Sequence, residues 1–345
     1  MTAAPIAIQR TGLVTSVGLT AAESCAAFRA KISNPTETRF IDSSGEWIMA
    51  HQVALEQPWR GLAKLAKMAA LAIEEALQDI PRAEWDTLPL LLCVAEAERP
   101  GRAVGLDDQL FALVQKELGV RFAPASAVVP HGRVAVAVAM AMARSMLAPS
   151  PSPTKRVLVA ATDSLLSWPT LSRYESGDRL LTARNSNGFV PGEAAGALLL
   201  GQPTGETDEL VCTGVGFAKE AAHLDSGEPL RADGLSQAIK LSLQEAGWQM
   251  HDLDFRITDI SGEQYYFKEA ALALSRILRV RKAEFDLWHP AESAGETGAA
   301  AGALVLATAQ MACRKGYSAG SHILAHMAND AGQRSAMVLR QGAAA

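Results

Sequence analysis

Paired cysteines, basic runs, zinc-protease motifs and membrane-length apolar stretches are all missing from this 345-residue chain, and each absence removes a class of function. Its four cysteines, Cys25, Cys93, Cys212 and Cys313, stand far apart in apolar surroundings. With no CxxC pair they read as buried reduced thiols rather than disulfides or metal ligands. No HExxH motif occurs, and no metal site is expected. His289 and His326, near strand ends, read as packed core or rim histidines. The net charge is −5 with no long basic run, so nucleic acid has no electrostatic footprint to follow. Gly214-Val215-Gly216 lacks the third glycine of a dinucleotide turn and reads as a bend, so no cofactor is expected. The opening MTAAPIAIQRTGLVTSVG has neither the basic start nor the long apolar stretch of a signal peptide, and no segment reads as a membrane span. A soluble, cytoplasmic protein is the expectation.

What is abundant is apolar material. Hydrophobic residues make up 49% of the chain, enough for one large core or two fused ones. The stretch that organises the rest runs over 286–315, DLWHPAESAGETGAAAGALVLATAQMACRK. From 298 to 313 only Thr308 and Gln310 interrupt small or apolar residues, and a helix apolar all round is a buried helix. A turn with Gly295 and Gly298 follows the strand-like EFDLW and leads into that helix, whose free N–H groups favour anions. A second Ala-rich helix is expected over 133–147, after a strand at 125–130 and the turn His131-Gly132-Arg133.

Elsewhere the pattern predicts strands at 5–18, 87–95 and 155–166, helices at 21–30, 62–77 and near 106–118, and a Pro/Ser linker at 149–153. Residues 33–58 read as irregular, with a possible strand at WIMAHQVAL. The order then repeats: a strand at 211–221, a helix over 230–247 closed by Gly247, a strand at 252–262, a helix over 263–278, EFDLW, the central helix, and strands at 322–327 and 335–340. Such alternation predicts a parallel α/β sheet.

Three stretches carry a family resemblance. Residues 295–303, GETGAAAGA, resemble the G-H-x-x-G-A-A-G-A turn of the β-ketoacyl-acyl-carrier-protein synthases, members of the thiolase superfamily. Residues 184–201, RNSNGFVPGEAAGALLLG, resemble that family's R-D-G-F-V-x-G-E-G-A-G-x-L-V-L, with Phe189, Gly192, Glu193 and Gly196 in place. The opening strand and its G-x-V-(S/T)-x-x-G turn are also similar. The resemblance implies an α/β thiolase fold: two duplicated βαβ halves, 1–202 and 203–345, tightly packed as one unit in five layers, α-β-α-β-α. It further implies a homodimer paired through the edge strands of the N-terminal halves.

The same resemblance marks where a ketosynthase keeps its chemistry. Its nucleophilic cysteine corresponds to His131, its two histidines to Ser261 and Glu296, and its lysine to Ala291. Its closing G-F-G-G loop reads Asn329-Asp330-Ala331-Gly332. A thiolate is the nucleophile that acyl transfer needs, and an ionised carboxylate at 296 would repel a developing oxyanion. No catalytic residue is therefore expected, and the four positions read as vestigial. Tyr265, Tyr266 and Phe267 are candidates for the old pocket mouth. His131, Ser261 and Glu296 have the composition of a triad, but polar residues filling a relic pocket is the weightier reading.

Three functions follow. The first is an inactive thiolase-like binding or assembly partner, similar to those of type VI secretion loci, with a secretion effector as partner. The second is a chain-length-factor-like subunit paired with an active ketosynthase, with an acyl carrier protein nearby. The third is a hydrolase or acyltransferase using His131, Ser261 and Glu296.

Overall fold

The computed structural model describes residues 4–148, 154–206 and 209–342; the Pro/Ser linker at 149–153 lies outside them. The first half of the chain forms β1 (Ile6–Val14), α1 (Ala21–Arg29), β2 (Thr36–Ile41), β3 (Trp47–Ala50), α2 (Gly61–Ala76), β4 (Leu90–Cys93), α3 (Leu110–Leu118), β5 (Ala127–Val129), α4 (Ala135–Met146), β6 (Arg156–Ser164), α5 (Trp168–Ser176) and β7 (Glu193–Gly201). The second half forms β8 (Leu210–Lys219), α6 (Asp233–Ala246), β9 (Phe255–Thr258), α7 (Gln264–Ile277), β10 (Leu287–Trp288), α8 (Ala291–Ala294), α9 (Ala301–Arg314), β11 (His322–Ala328) and β12 (Gln333–Gln341).

Local chemistry accounts for many of these boundaries. Thr20 accepts the Glu23 N–H and starts α1, as N-cap side chains do. Ser167 does the same for α5, and Gly247, at φ 73°, ends α6. Residues 36–50, read from sequence as largely irregular, are the antiparallel hairpin of β2 and β3. Of EFDLW only Leu287 and Trp288 join the sheet.

The ten-stranded sheet runs β10-β9-β11-β12-β8-β1-β7-β6-β4-β5. Counting each half's strands in chain order, both halves read 3-2-4-5-1. In both, the last strand is antiparallel to its neighbours while the inner ones are parallel. The sheet is therefore mixed, not parallel as the alternation suggested. β11 and β12 are joined by only four residues, 329–332, and so short a connection permits only an antiparallel pair. The halves share hydrogen bonds: Ala7 and Ile8 of β1 pair with β7 on one side and β8 on the other.

α4 and α9 pack against strands of both halves, and one buried cluster unites them with β1, β4, β6, β7, β8, β9, β11 and β12. Separate clusters place α2 and α3 on the outer face of the first half and α6 and α7 on that of the second. The result is five layers, with the two Ala-rich helices in the middle. Small residues set their spacing: a Cβ at Gly302 of α9 would stand 2.8 Å from Val136 Cβ of α4. Gly302→Val is expected to lower stability by about 1–3 kcal/mol through overpacking, measurable as a lower urea midpoint with unchanged slope.

Candidate functional site

Open α/β sheets place their sites beyond the carboxyl ends of the strands, and here those ends carry charge. Glu96 follows β4, Asp163 lies near the end of β6, Asp259 follows β9 and Asp330 follows β11. Two turns lead from the strands into the middle helices. In each, a glycine at φ 55°, Gly132 or Gly298, begins a 3-10 turn that continues into α4 or α9. Neither position has room for a side chain. A Cβ at Gly132 would lie 1.9 Å from Glu96 Oε2, and one at Gly298 2.1 Å from Asp163 Oδ2.

Arg133 is the centre of what lies between. Its guanidinium donates to Glu296 Oε2 at 3.1 Å, the Tyr266 hydroxyl at 2.5 Å and Asp330 Oδ1 at 2.8 Å, and stands 3.8 Å from Asp259. Arg179 binds Glu263 through two hydrogen bonds of 2.8 Å and reaches Asp330 at 2.5 Å. Tyr266 also donates to Asp330, at 2.6 Å. Arg99 donates to Asp163 at 2.6 Å, and both side chains are buried. Buried charges survive only when paired in this way.

The balance differs between the acids. Burial alone would raise Asp330, but Arg133, Arg179 and the Tyr266 hydroxyl outweigh it and hold the carboxyl well below the usual range. Asp259 has one arginine, 3.8 Å away; burial prevails and pushes it up to about 7. Burial also raises Glu96 and Glu263. Arg133 stays charged because its carboxylate partners outweigh the cost of its burial.

Of the residues singled out from sequence, Ser261 and Glu296 meet: the serine donates to Glu296 Oε2 at 2.7 Å. His131 does not join them. It is half-buried, its side chain makes no hydrogen bond among those described, and Arg133, two residues on, is what enters the site. Ala291 sits in α8, half-buried. The three aromatics part company: Tyr266 is in the network, Tyr265 donates to Ala222 O at 2.7 Å, and Phe267 is 38% exposed and packs edge-on against His289. His326 is buried against the Thr258 hydroxyl at 3.2 Å. His322 lies four residues before it, but on a strand, where that spacing sets two residues roughly 13 Å apart, too far to share a metal. The four cysteines are buried elsewhere, with thiols pushed up, to about 12 at Cys25 and about 11 at Cys212.

Two features limit what the site can do. The N–H donors at the start of the α9 turn are taken: Gly298 N–H donates to Glu296 Oε1 and Ala299 N–H to Asp163 Oδ2, both at 2.9 Å. These are the kind of donors an acyl-transfer site keeps for an oxyanion. The space left among Arg99, Arg133, Arg179 and Asp330 is about 20 Å³, room for a single water.

Strand order 3-2-4-5-1 in duplicate, with paired helices between the halves, defines a thiolase-like fold. Solved structures bear this out. The chain is similar to an ishigamide ketosynthase/chain length factor (TM-score 0.79, 16% identity, covering 98% of this chain and 99% of that one). It is similar to a type II polyketide ketosynthase in complex with its acyl-carrier protein (0.81, 14%, 98% and 99%). It is also similar to a ketosynthase in complex with its chain length factor from Xenorhabdus doucetiae (0.77, 12%, 98% and 98%). No protein-family model and no curated protein matches the sequence.

Proposed function

We propose that the protein is a chain-length-factor-like subunit: a non-catalytic partner of a ketosynthase. One observation carries this reading. The backbone N–H groups and the cavity where acyl chemistry would take place are filled by the protein's own Glu296, Asp163 and arginines. A ketosynthase fold with its reaction space occupied can still offer its surface, and similar full-length chains occur in ketosynthase/chain length factor structures. The two halves, 1–202 and 203–345, act in this reading as one unit, since α4 and α9 bind strands of both. β5, at the end of the sheet, is the edge offered to the partner, because an unpaired edge is a ready template for another strand. The triad reading has less support, since Ser261 and Glu296 meet without an imidazole.

Affinity purification from the native organism tests this. A co-purifying ketosynthase, with or without an acyl carrier protein, is the expected result. A secretion effector in its place would overturn the proposal in favour of an assembly role. The protein alone is expected to form no condensation product from acyl- and malonyl-carrier-protein substrates. Product above a no-protein control would remove the non-catalytic part of the reading.

A further inference from the structure

A second cleft lies on the first half of the chain, where the β2–β3 hairpin, the start of α2, the end of β6 and the start of α5 meet. It encloses about 560 Å³, in the range of small-molecule sites. Its charge is one-sided. Arg39, Arg60, Lys64 and Arg99 line it against a single carboxylate, Glu193, in a chain whose net charge is −5.

Hydrogen bonds show which of these cations are spent. Lys64 pairs with Glu193, which also accepts the Val53 N–H and the Ser164 hydroxyl. Arg99 is buried and gives Nη1 to Asp163 at 2.6 Å, while its Nε is enclosed without a partner. Asp163 thus answers only part of this guanidinium, and what is left acts on the cleft as charge, not as contact. Arg39 and Arg60 are exposed and form no ion pair with a described residue. Two positive charges therefore remain.

The start of α2 adds to them. No side chain caps this helix, and no acid stands in its first turn. Gly61, at φ 55°, leaves the backbone bare: a Cβ there would meet nothing within 4 Å. The N–H groups of Gly61, Leu62 and Ala63 have no partner among the described residues. Free donors at the positive end of a helix favour an anion. Flat apolar surface lies in the same cleft. The Arg39 guanidinium stands 4.9 Å from the centre of the Phe40 ring, and Phe40 stacks on Trp168 with centroids 6.0 Å apart. Trp168 is still 48% exposed, which leaves indole surface for a ligand to cover.

We propose that this cleft binds a ring-bearing phosphate monoester of the nucleoside monophosphate type. Such a phosphate carries about −1.5 to −2 at neutral pH, which matches the two arginines left over. The phosphate meets Arg60 and the neighbouring α2 N–H groups, Arg39 supplies the second positive charge, and the base lies on Trp168. This inference is independent of the ketosynthase partnership.

The test is calorimetric titration of the intact protein with adenosine monophosphate and with its two halves, ribose 5-phosphate and adenosine. The whole nucleotide is expected to bind tightest, and each half about fivefold or more weaker. Arg60→Gln should weaken the two phosphates about tenfold and spare adenosine. Trp168→Ala should weaken the nucleotide and adenosine about fivefold and spare ribose 5-phosphate. No saturable binding of the nucleotide, equal affinity for it and either half, or native affinity in either variant would each overturn the assignment. Both variants change exposed side chains; if Trp168→Ala fails to fold, the probe ranking on the native protein and the Arg60→Gln response decide the matter.

Discussion

Replacing Arg133 with methionine is expected to destabilise the protein by about 3–5 kcal/mol, the cost of breaking a buried ion pair by removing one partner. Methionine keeps much of the length and apolar volume, so the loss is one of charge. Asp330 would still be held by Arg179, through hydrogen bonds of 2.5 and 3.2 Å. Glu296 would keep only neutral donors, Ser261 and the Gly298 N–H, and Asp259, 3.8 Å from the lost guanidinium, would have no cation in reach. Adding Glu296→Gln should recover part of the loss, because the orphaned charge is then gone while both hydrogen bonds remain possible. Urea denaturation checks this through the midpoint at constant slope. A loss below about 1 kcal/mol, the size of an exposed pair, would mean that the arginine is solvated and the cavity is not filled as described.

Burial was easier to read from the sequence than direction. An all-apolar run from 298 to 313 could only be a buried helix, and α9 is that helix; the Ala-rich run after His131 is α4. Their stacking between two halves came from family resemblance, since periodicity says that a helix is buried but not against what. Strand orientation was partly legible and missed: the four-residue link at 329–332 forces β11 and β12 to be antiparallel. The site was harder. Alignment drew attention to His131, but in a tight turn only geometry decides which of the two side chains flanking Gly132 points inward, and the choice fell on Arg133. Arg133 stood in plain view as the lone charge ahead of a long apolar run. The carboxylates had a signal too. LLLCVAEAE, VLVAATD, FRITD and HMAND each end an apolar strand in an acid, on the side where such sheets form sites. What no sequence pattern offers is the outcome: Asp163 pairs with Arg99, while Asp259 and Asp330 of the second half close on Arg133 from the first.

That closure has a measurable consequence at pH values where ordinary carboxylates have finished titrating. Asp259→Asn is expected to gain stability relative to the native chain as pH rises, by about 3 kcal/mol between pH 4.5 and 7.5. The sign follows from the direction of the shift. In the unfolded chain an aspartate titrates near 3.9; in the fold burial pushes Asp259 up to about 7, against the partial pull of Arg133. The native state thus holds this proton more tightly, and the stability it contributes is complete below about pH 4 and lost as pH climbs through 7. In the native chain two histidines mask the slope. Burial lowers His326 to about 3 and His51 to about 4, so their contribution is present above about 6.5 and lost as pH falls. Asparagine keeps a carbonyl oxygen for the Ala328 N–H, which Asp259 binds at 3.1 Å, but has nothing to ionise. With the Asp259 contribution removed and all other groups common to both proteins, the variant should be nearly equal to the native chain at pH 4.5 and ahead of it at pH 7.5. Urea titrations of both proteins across that range supply the comparison. A difference that stays constant with pH would mean that Asp259 is ionised throughout, as firmly paired as Asp330, and that Arg133 serves both acids equally despite the longer distance.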